Sequence, residues 1–419
     1  MVRIAHISDL HFSNFSFNPL QFFSKRWIGN LNLLFNRSKH YLNERPFSLI
    51  PSFKKQGVTH VIISGDLTTT SSKKEFALAK SFVSRLKEEG MTVYVIPGNH
   101  DAYTKKADRK NVFYRFFPSP SSSPFSLKVH GMCKLPLCEG WTLVLLDTTC
   151  ATSLTSSNGY FSPNLETNLT KLLQSIGAEE KVLLVNHFPF FQHERAGRRL
   201  INGKRLESLL KAFPTVQIYL HGHTHRRTAA DLRESHLPLI LESGSSGHTK
   251  GAWNLLELDK DSLTCRSFEW REEIEETCSN RYTFQNLPWY YKGLRFKCTG
   301  CGKCCTGKGY VWLEEEDISN LSKKLSLSKE DFLKKYTRQV GFDRSLTEDP
   351  VTDDCIFLKD KSTCAVYDAR PKQCRTFPWW TDQLNSPKEW EEAKLRCEGI
   401  DHEEAPLVSF KEIEKELSK

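Results

Sequence analysis

Residues 1–12 read MVRIAHISDLHF, and this stretch decides what fold we expect for the first part of the chain. Its residues 2–8 form a short apolar run with β-branched side chains, which is typical of a buried strand. Strands that alternate with amphipathic helical patterns predict an α/β domain, which we place at residues 1–272. Five later runs share the character of the first: 58–64, 92–96, 142–147, 181–186 and 216–221.

Metal-binding residue types follow five of these six predicted strands, at the point where each strand ends. In open α/β sheets, the carboxyl ends of the strands are where ligands gather. Asp, Asn and His side chains together suit a divalent ion such as Mn, Fe or Zn. The residues are Asp9 with His11, Asp66, Asn99 to Asp101, His187, and His223 with His225.

The order of these motifs resembles the calcineurin-like metallophosphoesterase superfamily, whose pattern is D-x-H, G-D, G-N-H-[DE], a lone His and G-H-x-H. The resemblance covers about residues 1–272 and implies an α/β fold, a four-layer α-β-β-α sandwich, with two metal ions. It implies that His100 is a catalytic residue that holds no metal, and that Asp101 is a catalytic partner that orients it. It also implies that one ion is held by Asp9, His11, Asp66 and His225, and the other by Asp66, Asn99, His187 and His223.

The same resemblance implies a chemistry. Two divalent ions (Mn, Fe or Zn) would bind a phosphoryl group and a bridging water, whose pKa falls from ~15.7 towards ~7. The resulting hydroxide would attack phosphorus in line, and His100 would stabilise charge or protonate the leaving oxygen. Thr69 stands where many relatives have a second Asp, whereas residues 98–101 (GNHD) resemble the phosphodiesterase members. We therefore expect a phosphodiesterase that acts on a small nucleotide or another organic phosphodiester.

Cysteine is concentrated in the second part of the chain, where eight of the 13 cysteines lie between residues 298 and 397. Such clustering favours metal ligation over disulfides in a reducing compartment. The spacing resembles small C-x-x-C-x-x-C-C domains described as zinc- or iron-chelating, which would span residues 296–402. Residues 273–295 are expected to be a linker and residues 403–419 a charged tail. Zinc and an iron–sulfur cluster both remain open for Cys298, Cys301, Cys304, Cys305, Cys355, Cys364, Cys374 and Cys397.

Composition limits the remaining possibilities. With 39% hydrophobic residues in 419, the chain is not wholly disordered. The net charge of +9 allows an anionic partner, but no base-reading motif supports nucleic acid, and no protein partner is predicted. The sequence shows neither 18 consecutive apolar residues nor a signal segment, so we expect a cytoplasmic protein without a transmembrane helix.

Two other functions stay open at this point. Residues 12–57 are rich in aromatic and basic side chains, which would suit peripheral contact with a membrane and a lipid-linked pyrophosphate hydrolase acting there. Alternatively, these aromatics pack onto the domain. The third possibility is a metal or redox sensor that has no catalytic activity.

Overall fold

The computed structural model describes residues 1–14, 40–152, 156–177, 179–191, 195–284 and 288–418. The chain forms two compact units, Met1–Leu287 and Pro288–Lys419. Much of the aromatic and basic segment predicted at 12–57 lies outside the described residues, which omit 15–39. Among the helices that are described, none is both long enough and apolar enough to cross a membrane.

Two six-stranded mixed sheets form the frame of the first unit. The strands are β1 Val2–Ile7, β2 His60–Ile63, β3 Thr92–Val95, β4 Met132–Cys138, β5 Trp141–Leu146, β6 Gly159–Tyr160, β7 Lys181–Val185, β8 Leu200–Ile201, β9 Val216–His221, β10 Arg227–Asp231, β11 Leu239–Ser243, β12 Ala252–Leu258, β13 Ser262–Trp270 and β14 Ile274–Thr283. One sheet has the order β14-β13-β12-β1-β2-β3 and the other β10-β11-β9-β7-β5-β4. Strands β1, β2 and β3 run parallel, as do β5, β7, β9 and β11, so their carboxyl ends share one edge in each sheet.

Two helices of this unit begin at residues that are typical of helix N-termini. Ser72 accepts a hydrogen bond from the Glu75 N–H, and the Glu75 carboxylate accepts one from the Ser72 N–H, which completes a capping box. Ser162 caps a second helix whose first residue is Pro163. The α-helices are α1 Glu44–Ser48, α2 Ile50–Lys55, α3 Lys73–Glu88, α4 Lys105–Arg109, α5 Val112–Phe116, α6 Leu127–His130, α7 Pro163–Gln174 and α8 Gly203–Ala212.

Apolar side chains are arranged in three layers. Ile4 and Ile62 of one sheet pack in the same buried cluster as Leu183 and Ile218 of the other, so the sheets lie face to face. Helix α3 covers the outer face of the first sheet, while α7 and α8 cover that of the second. The expected four-layer α-β-β-α sandwich is confirmed.

The segment expected to be a linker has regular structure. Strand β14 lies within residues 273–295 and pairs along its length with β13. Its sequence, IEETCSNRYT, is mostly exposed at the sheet edge, so it lacks the apolar pattern that would have marked a strand. Tyr290 and Leu294 belong instead to a buried cluster of the second unit.

The second unit consists of short helices and two-stranded ladders around two small apolar clusters. The expected charged tail is part of this unit, because Ile413 is fully buried in the cluster that contains Trp390. The α-helices are α9 Glu315–Lys324, α10 Lys329–Tyr336, α11 Lys372–Thr376, α12 Thr381–Leu384, α13 Pro387–Arg396 and α14 Phe410–Leu417. The strands are β15 Leu294–Arg295, β16 Thr337–Val340, β17 Asp343–Leu346, β18 Leu358–Lys359, β19 Thr363–Cys364 and β20 Leu407–Val408.

Candidate metal centre

Four predicted ligands come together at the ends of β1, β2 and β9. Ligand atoms of Asp9, His11, Asp66 and His225 all lie within 4.8 Å of one another. Asp9 Oδ1 is 3.1 Å from His225 Nε2, and Asp66 Oδ2 is 3.9 Å from His11 Nε2. Two carboxylates facing two imidazoles provide the donor set expected for one divalent ion.

The other three predicted ligands, Asn99, His187 and His223, form a second group together with Asp66. Asn99 Oδ1 lies 3.2 Å from His187 Nε2 and 2.8 Å from His223 Nδ1. The same His187 nitrogen is 3.5 Å from Asp66 Oδ2. One carboxylate thus faces both groups, as a bridging ligand would.

The charges at this site suit a cation. Burial alone would raise the pKa of Asp66, but His187 and His100 hold it well below its usual range. Burial would likewise lower the pKa of His187, but the charges of Asp66 and Asp9 outweigh it and raise that pKa to about 9. Without metal, the raised pKa favours a proton on His187 beside these carboxylates, where a metal ion would supply the positive charge instead.

Partners outside the two groups determine which ring nitrogen of each histidine faces the centre. His187 Nδ1 is 2.8 Å from the Ser64 carbonyl oxygen, which leaves Nε2 on the side of the ligand group. His223 Nε2 is 2.9 Å from the Arg198 carbonyl oxygen, so its Nδ1 faces Asn99. Such contacts orient metal-binding imidazoles in proteins.

The backbone around the centre is unusual. Asp9, His11, Asp66, His223 and His225 all have φ between 49° and 74°, in the left-handed region that side-chain-bearing residues rarely adopt. Residues in such conformations cluster at functional sites. Five of the seven predicted ligands therefore lie on strained turns.

Asp101 does not have the contacts expected of a residue that orients His100. Its carboxylate accepts hydrogen bonds from the N–H groups of Leu67, Thr68 and Gly98 at 2.9–3.0 Å, and one from the Thr68 hydroxyl at 2.8 Å. His100 Nδ1 is instead 2.7 Å from the Thr69 carbonyl oxygen, and the His100 N–H donates to Asp66. Asp101 thus fixes the loops that carry Asp66 and His100, while burial and the charge of Asp66 raise its pKa to about 7.

Two residues near the centre had not been singled out by the sequence analysis. Tyr41 Oη lies 2.9 Å from His225 Nδ1, and the Tyr41 ring packs edge-on against His11. Buried Glu242 accepts hydrogen bonds from the N–H and hydroxyl of Thr224, between two predicted ligands. Glu242 follows an apolar run at 237–241, so the rule that located the ligands could have located it. Tyr41 carries no such signal, because it lies far from any strand end.

Several of the predicted cysteine ligands lie near one another in the second unit. Cys304 Sγ and Cys305 Sγ are 3.9 Å apart, and both line a cavity of about 310 Å³ together with Cys355 and Cys374. The hydrogen bond with Cys304 raises the pKa of Cys305, and burial and the charges of Cys355 and Cys364 add to this. Burial raises the pKa of Cys397, and the charge of Cys301 adds to this. Cys298 forms a hydrogen bond with Tyr367.

The fold and the residues at the sheet edges agree with comparisons to known families. The chain belongs to the calcineurin-like phosphoesterase family, whose model matches residues 2–227. Residues 297–398 match a second family, described as "Putative zinc- or iron-chelating domain". The chain is thus a metal-dependent phosphoester hydrolase with an appended cysteine-cluster domain.

Individual relatives are distant. The chain is 23% identical over 235 residues to the glycerophosphodiester phosphodiesterase GpdQ of Enterobacter lignolyticus, a match covering 55% of this chain and 74% of that protein. A dimetal phosphatase from Danio rerio is 15% identical, with a TM-score of 0.48, covering 68% of this chain and 99% of its own. Purple acid phosphatase PPD1 from yellow lupin is 12% identical, with a TM-score of 0.45, covering 68% of this chain and 54% of its own.

Proposed function

We propose that this protein is a phosphodiesterase that uses two divalent ions to hydrolyse a small organic phosphodiester, such as a nucleotide or a glycerophosphodiester. The observation that carries the proposal is the position of Asp66. Its Oδ2 lies 3.9 Å from His11 Nε2, in one ligand group, and 3.5 Å from His187 Nε2, in the other. The similarity to a glycerophosphodiester phosphodiesterase supports a diester substrate.

The residues divide the work as follows. Asp9, His11, Asp66 and His225 would hold one ion, and Asp66, Asn99, His187 and His223 the other. When bound, such an ion pair neutralises phosphoryl charge and lowers the pKa of water. Mn, Fe and Zn all suit these donors.

We propose that His100 acts on the substrate rather than as a metal ligand. Its Nδ1 is occupied by the Thr69 carbonyl oxygen, so Nε2 is the ring nitrogen on the opposite side. The ring stacks on Tyr103 and meets His11 edge-on at 4.9 Å, which holds it beside the ligand group. We propose that Nε2 donates a hydrogen bond to a phosphoryl oxygen or a proton to the leaving oxygen.

A basic side chain at the rim suits an anionic substrate. The exposed Arg198 places its guanidinium 3.4 Å from the His223 carbonyl oxygen, next to the centre. Because this guanidinium lies next to the centre, we propose that Arg198 attracts the phosphodiester.

We propose that the cysteine domain holds zinc or an iron–sulfur centre. The 3.9 Å between Cys304 and Cys305 is close to the edge of a tetrahedron with metal–sulfur bonds of about 2.3 Å, which is about 3.8 Å. Elemental analysis after anaerobic purification, with an optical spectrum, separates the two: zinc gives no visible absorption, whereas an iron–sulfur centre does.

The membrane alternative finds little support in the described part of residues 12–57. Phe12 and Phe53 are fully buried, and Phe47 packs against Phe82. Sedimentation of the protein with liposomes, compared between the full chain and a chain that lacks residues 15–39, tests the membrane alternative. Binding that depends on the segment would favour the lipid-linked substrate.

The proposal is tested by hydrolysis of bis-p-nitrophenyl phosphate and p-nitrophenyl phosphate with Mn²⁺, followed by a panel of natural diesters. We expect the diester to be hydrolysed faster than the monoester. Glu139→Gln, which changes a carboxylate whose side chain is 83% exposed, is the control, and Asp66→Asn is the inactive variant. Two bound metal ions with no hydrolysis of any ester would favour the sensor, and activity on the monoester alone would refute the diesterase.

A further inference from the structure

Glu242 is a buried carboxylate at the metal centre that lies outside both ligand groups. It belongs to β11, where it is paired in parallel register with His221, the last residue of β9. Its Oε1 accepts a hydrogen bond from the Thr224 N–H at 3.1 Å, and its Oε2 accepts one from the Thr224 hydroxyl at 2.6 Å. The Glu242 carbonyl oxygen accepts a third from the Asn254 side chain at 3.2 Å. The backbone of Glu242 is therefore held by β12, and its carboxylate holds Thr224.

Thr224 lies between His223 and His225, one from each ligand group, on a turn with strained backbone. The φ angles of the two histidines are 74° and 60°. A left-handed conformation costs a residue with a side chain roughly 1–2 kcal/mol, so this turn needs contacts that over-determine it. Asp9 Oδ2 accepts from the His223 N–H at 3.1 Å, and Tyr41 forms a hydrogen bond with the His225 ring. The residue between them is held by Glu242 and by the Gly222 carbonyl oxygen, which accepts from the Thr224 N–H at 2.9 Å.

The contact requires a carboxylate. Thr224 presents two donors to the one side chain, and a carboxylate offers two acceptor oxygens where an amide offers one. Burial raises the pKa of Glu242 to about 8, so the carboxylate form, which can accept from both Thr224 donors, carries a desolvation cost. Stability of the fold alone would therefore favour a neutral side chain at this position.

We propose that Glu242 is a positioning residue of the metal centre: by holding Thr224 through both carboxylate oxygens, it keeps His223 and His225 on the strained turn that directs one towards each ligand group. The inference rests on the proposed function only in that the centre binds metal. Glu242 itself belongs to neither ligand group. Replacing Glu242 should change the affinity for metal, because it changes the turn that carries His223 and His225.

The test measures Mn²⁺ binding to the full-length chain by isothermal titration calorimetry, alongside the melting temperature of the metal-free protein. Outer residues that orient ligands typically change metal affinity 10–100-fold when replaced, so we expect Glu242→Gln to raise the Mn²⁺ dissociation constant at least about tenfold. The metal-free melting temperature is measured to show that each variant is folded, so that a change in Mn²⁺ affinity can be assigned to the centre itself. Thr224→Val, which loses only the hydroxyl, should also weaken Mn²⁺ binding, whereas Thr224→Ser keeps both donors and should restore it.

A double variant shows whether the two residues act through one contact. If they do, Glu242→Gln combined with Thr224→Val should weaken Mn²⁺ binding by less than the product of the two single effects. A Glu242→Gln protein that melts earlier without metal but binds Mn²⁺ as the wild type does would overturn the proposal, as would equal weakening by Thr224→Ser and Thr224→Val. The Thr224 pair decides the matter even if Glu242→Gln fails to fold.

Binding and catalysis are read separately in this design. If the wild-type chain binds Mn²⁺ but hydrolyses no phosphoester, the proposed function is refuted, while the role of Glu242 in metal binding is unaffected. If the wild type hydrolyses a phosphoester but both Glu242→Gln and Thr224→Val bind Mn²⁺ with unchanged affinity, the role of Glu242 is refuted and the proposed function stands.

Discussion

Replacing Asp101 by Asn separates a structural role for this residue from a catalytic one. The carboxylate accepts four hydrogen bonds, two on each oxygen. In Asn, an NH₂ group replaces one of the oxygens, so two donors lose their acceptor. An unsatisfied buried donor costs about 1–3 kcal/mol, which gives a loss of about 2–6 kcal/mol in the free energy of unfolding.

That loss converts into a shift of the melting temperature. At about 2 °C per kcal/mol for a unit of this size, we expect the first unit to melt about 4–12 °C lower. Scanning calorimetry of the metal-free chain at pH 8, above the pKa of about 7 of Asp101, measures the shift with the carboxylate ionised. The exposed Glu139→Gln variant should melt as the wild type does.

Activity per metal-loaded molecule completes this test. If Asp101 acts only by fixing the loops, the folded Asp101→Asn protein retains hydrolysis in proportion to its bound metal. An unchanged melting temperature with hydrolysis reduced about 100-fold or more would refute the structural role and restore Asp101 as a catalytic partner of His100.

Four other outcomes follow from the site. Asp66→Asn removes the carboxylate that faces both ligand groups, so bound Mn²⁺, measured by elemental analysis, should fall together with hydrolysis. His100→Ala should lower kcat by about 10²–10⁴-fold at unchanged metal content, and a loss of metal instead would make His100 a ligand. The pKa of His187 is about 9, and a metal ion must displace its proton to bind. The Mn²⁺ dissociation constant should therefore fall about tenfold for each unit by which the pH rises between pH 7 and 9. A dissociation constant that does not change with pH in titration calorimetry would contradict this. Cys305→Ser should release zinc or iron from the chain while diester hydrolysis persists, and retention of that metal would exclude Cys305 as a ligand.

The sequence predicts the frame of the first unit well, because most of its parallel strands are buried on both faces. Such strands read as continuous apolar runs, and all six predicted runs correspond to strands of the two sheets. The ligand motifs follow at strand ends, where polar residues stand out against the apolar runs. Strand β14 escaped prediction because an exposed edge strand need not be apolar.

Contacts made through side chains were harder to predict. Asp101 adjoins His100 in sequence, yet its carboxylate accepts hydrogen bonds from backbone N–H groups of its own loop and of the loop after β2. The hydrogen bonds that Tyr41 and Glu242 make depend on loops brought together from distant parts of the chain. Residue type and spacing locate metal donors, but they do not indicate which neighbours hold those donors in place.

The arrangement of the sheets bears on when the protein can acquire its metals during synthesis. His223 lies 214 residues after Asp9, and β1 has β12 as its antiparallel neighbour. At translation rates of about 5–20 residues per second, Asp9 leaves the ribosome roughly 10–40 s before that histidine does. The nascent chain therefore exposes its first carboxylate and imidazole long before the coordination sphere can close, and metallation becomes one of the last events in the maturation of the first unit.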